Sequence, residues 1–232
     1  MDKTIYATIA ALIGEDGSLT EQPRFPENQL TLDNGEVIEY APGEIDGNIL
    51  YFNGFGFGPR QAEAGNLLDA AIADLEAGDP YSSRAKFRLF GTSGRMLPAA
   101  DRFLETLRRS GKTVGFNMLG DLARGLLASG IHPEEVKAGL CIAEFLAENG
   151  IRIADDQIRT IARCDEFTLF CIRIAEHFPD SDSALEEMGR HASVWGHIHL
   201  SETGGQPPAA DLPDDLAEML YPELYPSIWD DE

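Results

Sequence analysis

The sequence predicts an α+β chain that is mainly α: an N-terminal β-meander followed by a stack of antiparallel helix pairs. Three observations carry this. Short segments mixing β-branched and aromatic residues, separated by turn signals, recur through the first sixty residues. After Pro59 the apolar spacing changes from 2 to about 3.6. Two later apolar segments resemble each other at an offset of 32 residues, near the period of helix-pair repeats.

Within the β-rich region, Thr4-Ile5-Tyr6-Ala7-Thr8-Ile9 reads as a strand, followed by a turn cluster at residues 14–18. Residues 29–32 and 36–40 flank Asn34-Gly35, a pair that supplies the positive φ angles of a tight hairpin turn. Asn48-Ile49-Leu50-Tyr51-Phe52 reads as one more strand.

Helices follow. Leu67, Leu68, Ala71, Ile72 and Leu75 mark the first apolar stripe; Leu97, Ala100, Phe103, Leu104 and Leu107 mark the next, with Pro98 in its opening turn. Leu119, Leu122, Ala123, Leu126 and Leu127 form a third, stopped by Gly130. Segments 133–149 and 165–178 open on acidic residues and are apolar nearly all round, so they belong in the centre of the core. Shorter helices are expected at 154–163, 183–191 and 212–220. In the repeated pair, Glu134 falls on Glu166, Leu140 on Ile172, and Ile142-Ala143-Glu144 on Ile174-Ala175-Glu176. This divides the chain into a β-rich region, 1–59, a helical-repeat domain, 60–210, and a tail, 211–232.

Three stretches carry a family resemblance: Glu134-Glu135-Val136-Lys137-Ala138-Gly139-Leu140, Asp165-Glu166-Phe167-Thr168-Leu169-Phe170, and Trp195-Gly196-His197-Ile198-His199. On these, segment 132–202 resembles bacterial HEAT-like helical-repeat proteins. The resemblance covers under a third of the chain. It implies a scaffold for protein contacts, of the kind some relatives use in toxin–immunity systems.

Charge narrows the function classes. Lys and Arg number 18 against 40 Asp and Glu, a formal net charge of −22. Long-range repulsion then opposes binding to nucleic acid or anionic lipid. Residues 84–112 reverse the sign, with eight basic side chains against Asp101 and Glu105; from His191 onward there is no Lys or Arg at all. No apolar run is long enough to span a bilayer, and the N-terminus lacks a signal-peptide pattern, so a cytoplasmic protein is expected. The three cysteines form no CxxC and read as reduced, buried thiols.

Candidate sites are few. No nucleophile elbow, His-Glu-x-x-His, Walker or GxGxxG pattern is present, and no catalytic residue or cofactor is assigned. In the tail, Asp214, Asp215, Glu218, Tyr221, Glu223, Tyr225, Trp229, Asp230 and Asp231 set aromatic anchors among carboxylates, a composition that suits a basic protein surface. The same tail suits docking on the chain's own basic island. An alternative is an anion site at Thr92, Ser93 and Arg95, in a glycine-containing loop leading to a helix start. His191, His197 and His199 would offer a metal site on a strand, but on a helix residues two apart diverge by about 200°. The surroundings and Ser193 favour the helix. The resulting expectation is a non-enzymatic inhibitor or immunity protein whose acidic surface neutralises a basic partner, such as a secreted toxin. The alternative is an enzyme or binding protein for an anionic small molecule.

Overall fold

The computed structural model describes residues 3–31, 35–52 and 59–202. It is mainly helical, and the expected helical stack is present. In chain order the elements are α1 (Ile5–Leu12), β1 (Gln29–Thr31), β2 (Val37–Glu39), α2 (Glu44–Phe52), α3 (Pro59–Glu76), α4 (Pro80–Ser93), α5 (Ala100–Val114), α6 (Phe116–Ser129), α7 (Pro133–Glu148), α8 (Asp155–Ile161), α9 (Asp165–Ala175), α10 (Ser181–His191) and α11 (Val194–Glu202).

The β-meander is not what the N-terminal region forms. Its hairpin exists: β1 and β2 pair antiparallel with Gln29 opposite Glu39 and Thr31 opposite Val37. The other two expected strands are helices. Residues 4–9 enter α1, capped by the Thr4 hydroxyl, which accepts from the Ala7 N–H at 3.2 Å. Ile5 and Ile9, four apart, are the buried pair, so packing selects a helical period over local β preference. Residues 48–52 end α2. At the start of that helix, the carboxylate of its first residue, Glu44, accepts from the Ala41 N–H at 2.7 Å.

A helix the periodicity did not announce is α4. Its buried side is Ser83, Phe87, Phe90 and Gly91, hidden in sequence among Arg84, Lys86 and Arg88. It pairs with α3 as a hairpin across a turn at residues 77–79, capped by Asp79 on the Ser82 N–H. A second hairpin joins α6 to α7. Gly111 makes room on α5 for the Phe145 ring of α7: a Cβ there would stand 2.6 Å from it. Between α7 and α9, the short α8 returns the chain so that the two apolar helices lie side by side.

The core runs through all of these helices and takes in Ile5, Ile9 and Phe25 from the N-terminal region. The Phe25 ring meets Phe167 edge-on at 6.0 Å, and the Ile5 N–H donates to the Gly130 carbonyl at 2.9 Å. Ile5, Ile9 and Phe25, before Pro59, are thus packed into the helical stack. Among the described residues no helix is long and apolar enough to cross a membrane.

Candidate functional site

The densest polar constellation is buried where α2, α7 and α9 meet. Pro133 opens α7 and places Glu134, Glu135 and Lys137 in its first turns; Asp165 and Glu166 open α9 in the same way. Lys137 is 1% exposed. Its ammonium donates to Asp46 Oδ2 at 2.7 Å, Glu166 Oε1 at 2.6 Å and Glu134 Oε1 at 3.2 Å. Three donors thus meet three carboxylates, and the Phe170 ring lies 5.8 Å from the nitrogen on another side.

The outer oxygens are also spoken for, with one exception. Glu166 Oε2 accepts from Asn28 Nδ2 at 2.8 Å and the Gly43 N–H at 3.0 Å. Gly43 can bring its N–H there because its φ is +81°, and a Cβ would collide with the Asp165 carbonyl at 2.7 Å. Glu134 accepts from Arg95 Nη1 at 3.2 Å and from the Met96 N–H. Within this cluster, the carboxylate oxygen buried with no hydrogen-bond donor among the described residues is Asp46 Oδ1.

That difference sets the protonation. Burial pushes the Asp46 carboxyl up to about 7; Lys137 pulls against this, while the charges of Glu134 and Glu166 add to it. Burial pushes Glu166 up too, but the Lys137 charge and the hydrogen bonds from Lys137, Gly43 and Asn28 hold it below its ordinary value. For Lys137, burial pulls downward and the three carboxylates outweigh it, so the ammonium stays protonated. The cluster can fix three elements at one point; sealed from solvent, it offers no surface to a substrate. The signal in sequence was Lys137, the one cation of a helix that is apolar nearly all round, which has to be paired where it is buried. Sequence reasoning matched Glu134 with Glu166 only as repeat positions, named Lys137 only within the family resemblance, and passed over Asp46 and Asn28.

The expected anion loop has a different geometry. Residues 91–93 are the last turn of α4, and the Thr92 and Ser93 hydroxyls donate to the Leu89 carbonyl at 2.9 and 2.8 Å. A helix C-terminus presents carbonyls, the wrong polarity for an anion. Arg95 turns inward to Glu134 and to the Glu27 carbonyl. Its basic neighbours are engaged as well: Lys86 with Asp74, Arg102 with Asp69, Arg108 with Glu148. The basic island is mostly an internal counterweight.

The three histidines are held apart. His191 Nδ1 lies 3.1 Å from the Ser18 hydroxyl, and His199 Nδ1 lies 3.0 Å from the Tyr51 hydroxyl. His197 and His199 sit on α11, as the helical reading expected. Burial lowers His199 to about 4, so it is neutral. The helix start is capped across space: Asp165 takes the Ser193 N–H at 2.9 Å, and the Trp195 and Gly196 N–H groups also bond to it. The three thiols are buried, and burial raises each pKa, as expected of inert cysteines. Asp214, Asp215, Glu218, Tyr221, Glu223, Tyr225, Trp229, Asp230 and Asp231 lie outside the described residues.

Comparison with protein-family models, curated proteins and solved structures found no match to this chain.

Proposed function

We propose that this chain is a non-enzymatic protein-binding scaffold, built on a HEAT-like stack, whose acidic surface captures a basic protein in the cytoplasm. An immunity or inhibitor protein acting on a basic toxin is the specific form of this reading. One observation carries it: many of the chain's few cations, among the described residues, are turned to internal use. Lys137, Arg95, Arg102, Arg108 and Arg173 each pair with a carboxylate of the same chain. With 40 acids against 18 bases, the remaining excess is negative and uncompensated. A rigid surface of one sign speeds encounter with a partner of the other sign and rejects like-charged ones.

The test is a pull-down with the full chain at low salt, followed by affinity measurement on each recovered partner. The expected partners are basic, and the affinity falls steeply as salt rises. Partners without a basic bias, or an affinity indifferent to salt, would refute the proposal. Where a neighbouring open reading frame encodes a toxin, co-expression provides the specific arm: this chain restores growth.

A further inference from the structure

At the far end of α7 from Lys137, Glu144 and Glu148 stand one turn apart and meet His177, two residues beyond α9. One ligand atom from each lies within 4.8 Å of the other two. The spacing of four on α7 puts both carboxylates on one face, and the imidazole arrives from a second element. Glu144 is 5% exposed. Arg173 engages only its Oε1, through Nε at 3.0 Å and Nη2 at 2.9 Å. The other oxygen, Oε2, is buried with no hydrogen-bond partner among the described residues. A carboxylate oxygen removed from water without a donor calls for an explanation, and a bound cation is one.

We propose that Glu144, Glu148 and His177 form a Zn²⁺ site. Two carboxylate oxygens and one imidazole nitrogen are a donor set Zn²⁺ takes at about 2.0–2.2 Å, with a fourth position for water. Ligand atoms in a tetrahedral site of that size stand about 3.3 Å apart. Rotation of the exposed His177 and the partly buried Glu148 closes the gap, while Glu144 stays where Arg173 holds it. Arg173 then acts as the outer partner that orients a metal-bound carboxylate. Arg108 holds Glu148 in a half-exposed ion pair, a weak interaction that yields to the metal. The ion would join the last turn of α7 to the segment after α9, fastening the ends of these two helices opposite the Lys137 cluster.

The experiment is calorimetric titration of the chelator-treated full chain with ZnCl₂ near neutral pH. One saturable equivalent is expected, with a rise in thermal midpoint on addition of Zn²⁺. His177→Ala, at an exposed position, is expected to fold normally by circular dichroism and to bind about tenfold or more weaker. Glu148→Gln is expected to weaken binding in the same direction, and His197→Ala on α11 to leave it unchanged. Co²⁺ in place of Zn²⁺ is expected to give the visible absorption of a tetrahedral centre, absent in His177→Ala. Absence of saturable binding, or equal affinity in His177→Ala and the unaltered chain, would overturn the proposal. So would loss of binding in His197→Ala.

Discussion

Glu134 and Glu166, 32 residues apart, share one ammonium: Lys137 Nζ lies 3.2 Å from the first and 2.6 Å from the second. Each glutamate occupies the first turn of its own helix, at equivalent places in the repeated segment. Their meeting requires α7 and α9 to run in the same direction side by side, with α8 as the return. The other ends agree, since Arg173 of α9 reaches Glu144 of α7 at 2.9 Å. The sequence repeat is thus a spatial contact as well as a similarity.

Removing the shared cation should be severe. Lys137→Met leaves Asp46, Glu134 and Glu166 as buried carboxylates with their common partner gone. The expected loss is about 3–5 kcal/mol of unfolding free energy by urea titration, in the range of broken buried ion pairs. A loss near that of a surface substitution would show that the cluster is not a stabilising centre.

Two buried groups should pull stability in opposite directions with pH. Asp46 is pushed up to about 7 from an ordinary 3.8, so its contribution is full at low pH and disappears as pH rises toward 7. His199 is pushed down from an ordinary 6.5 to about 4, so its contribution is full above 6.5 and disappears as pH falls toward 4. Relative to the unaltered chain, Asp46→Asn should gain stability as pH rises between these limits. His199→Gln should gain as pH falls. Each difference is bounded by about 1.4 kcal/mol per pH unit. Urea midpoints taken across about pH 4 to 8 check both signs.

Gly47 leaves room for an indole. A Cβ there would stand 2.2 Å from the Trp195 ring, which is 4% exposed. Gly47→Ala should therefore expel or tilt Trp195, costing about 1–3 kcal/mol as overpacking does. In a Trp229→Phe background the remaining indole reports the change directly, as a red shift and altered intensity of fluorescence.

The thiols supply a fourth check. Cys141, Cys164 and Cys171 are buried and their pKa values raised by burial, so a thiol reagent should label none in the native chain and all three in denaturant. Rapid native labelling of any one would place it nearer the surface than the fold does.

What the sequence disclosed depended on how far each signal acted. The pairing of β1 with β2 was readable because two short segments of strand-forming residues flank a turn signal close by in the sequence. The apolar helices α7 and α9 were readable because their pattern is long. Residues 4–9 misled, since β-branched content favoured a strand while burial of Ile5 and Ile9 on one side fixed a helix. Phe87 and Phe90 on α4 were obscured by three nearby cations whose partners lie elsewhere in the chain. The Lys137 cluster was the least legible. Asp46 is 91 residues from Lys137 in sequence, and no local rule joins them.

Asn28 and Gly43 donate to a carboxylate of α9, and Asp46 meets the lysine of α7. Asn28, Gly43 and Asp46 are therefore structural parts of the junction between α7 and α9. An engineer shortening the chain at Pro59 would strip the lid from a charged interior, and solvent would flood the junction of the two central rods. Gene shuffling that exchanged the front portion would meet the same penalty, unless it carried matching donors for Glu166.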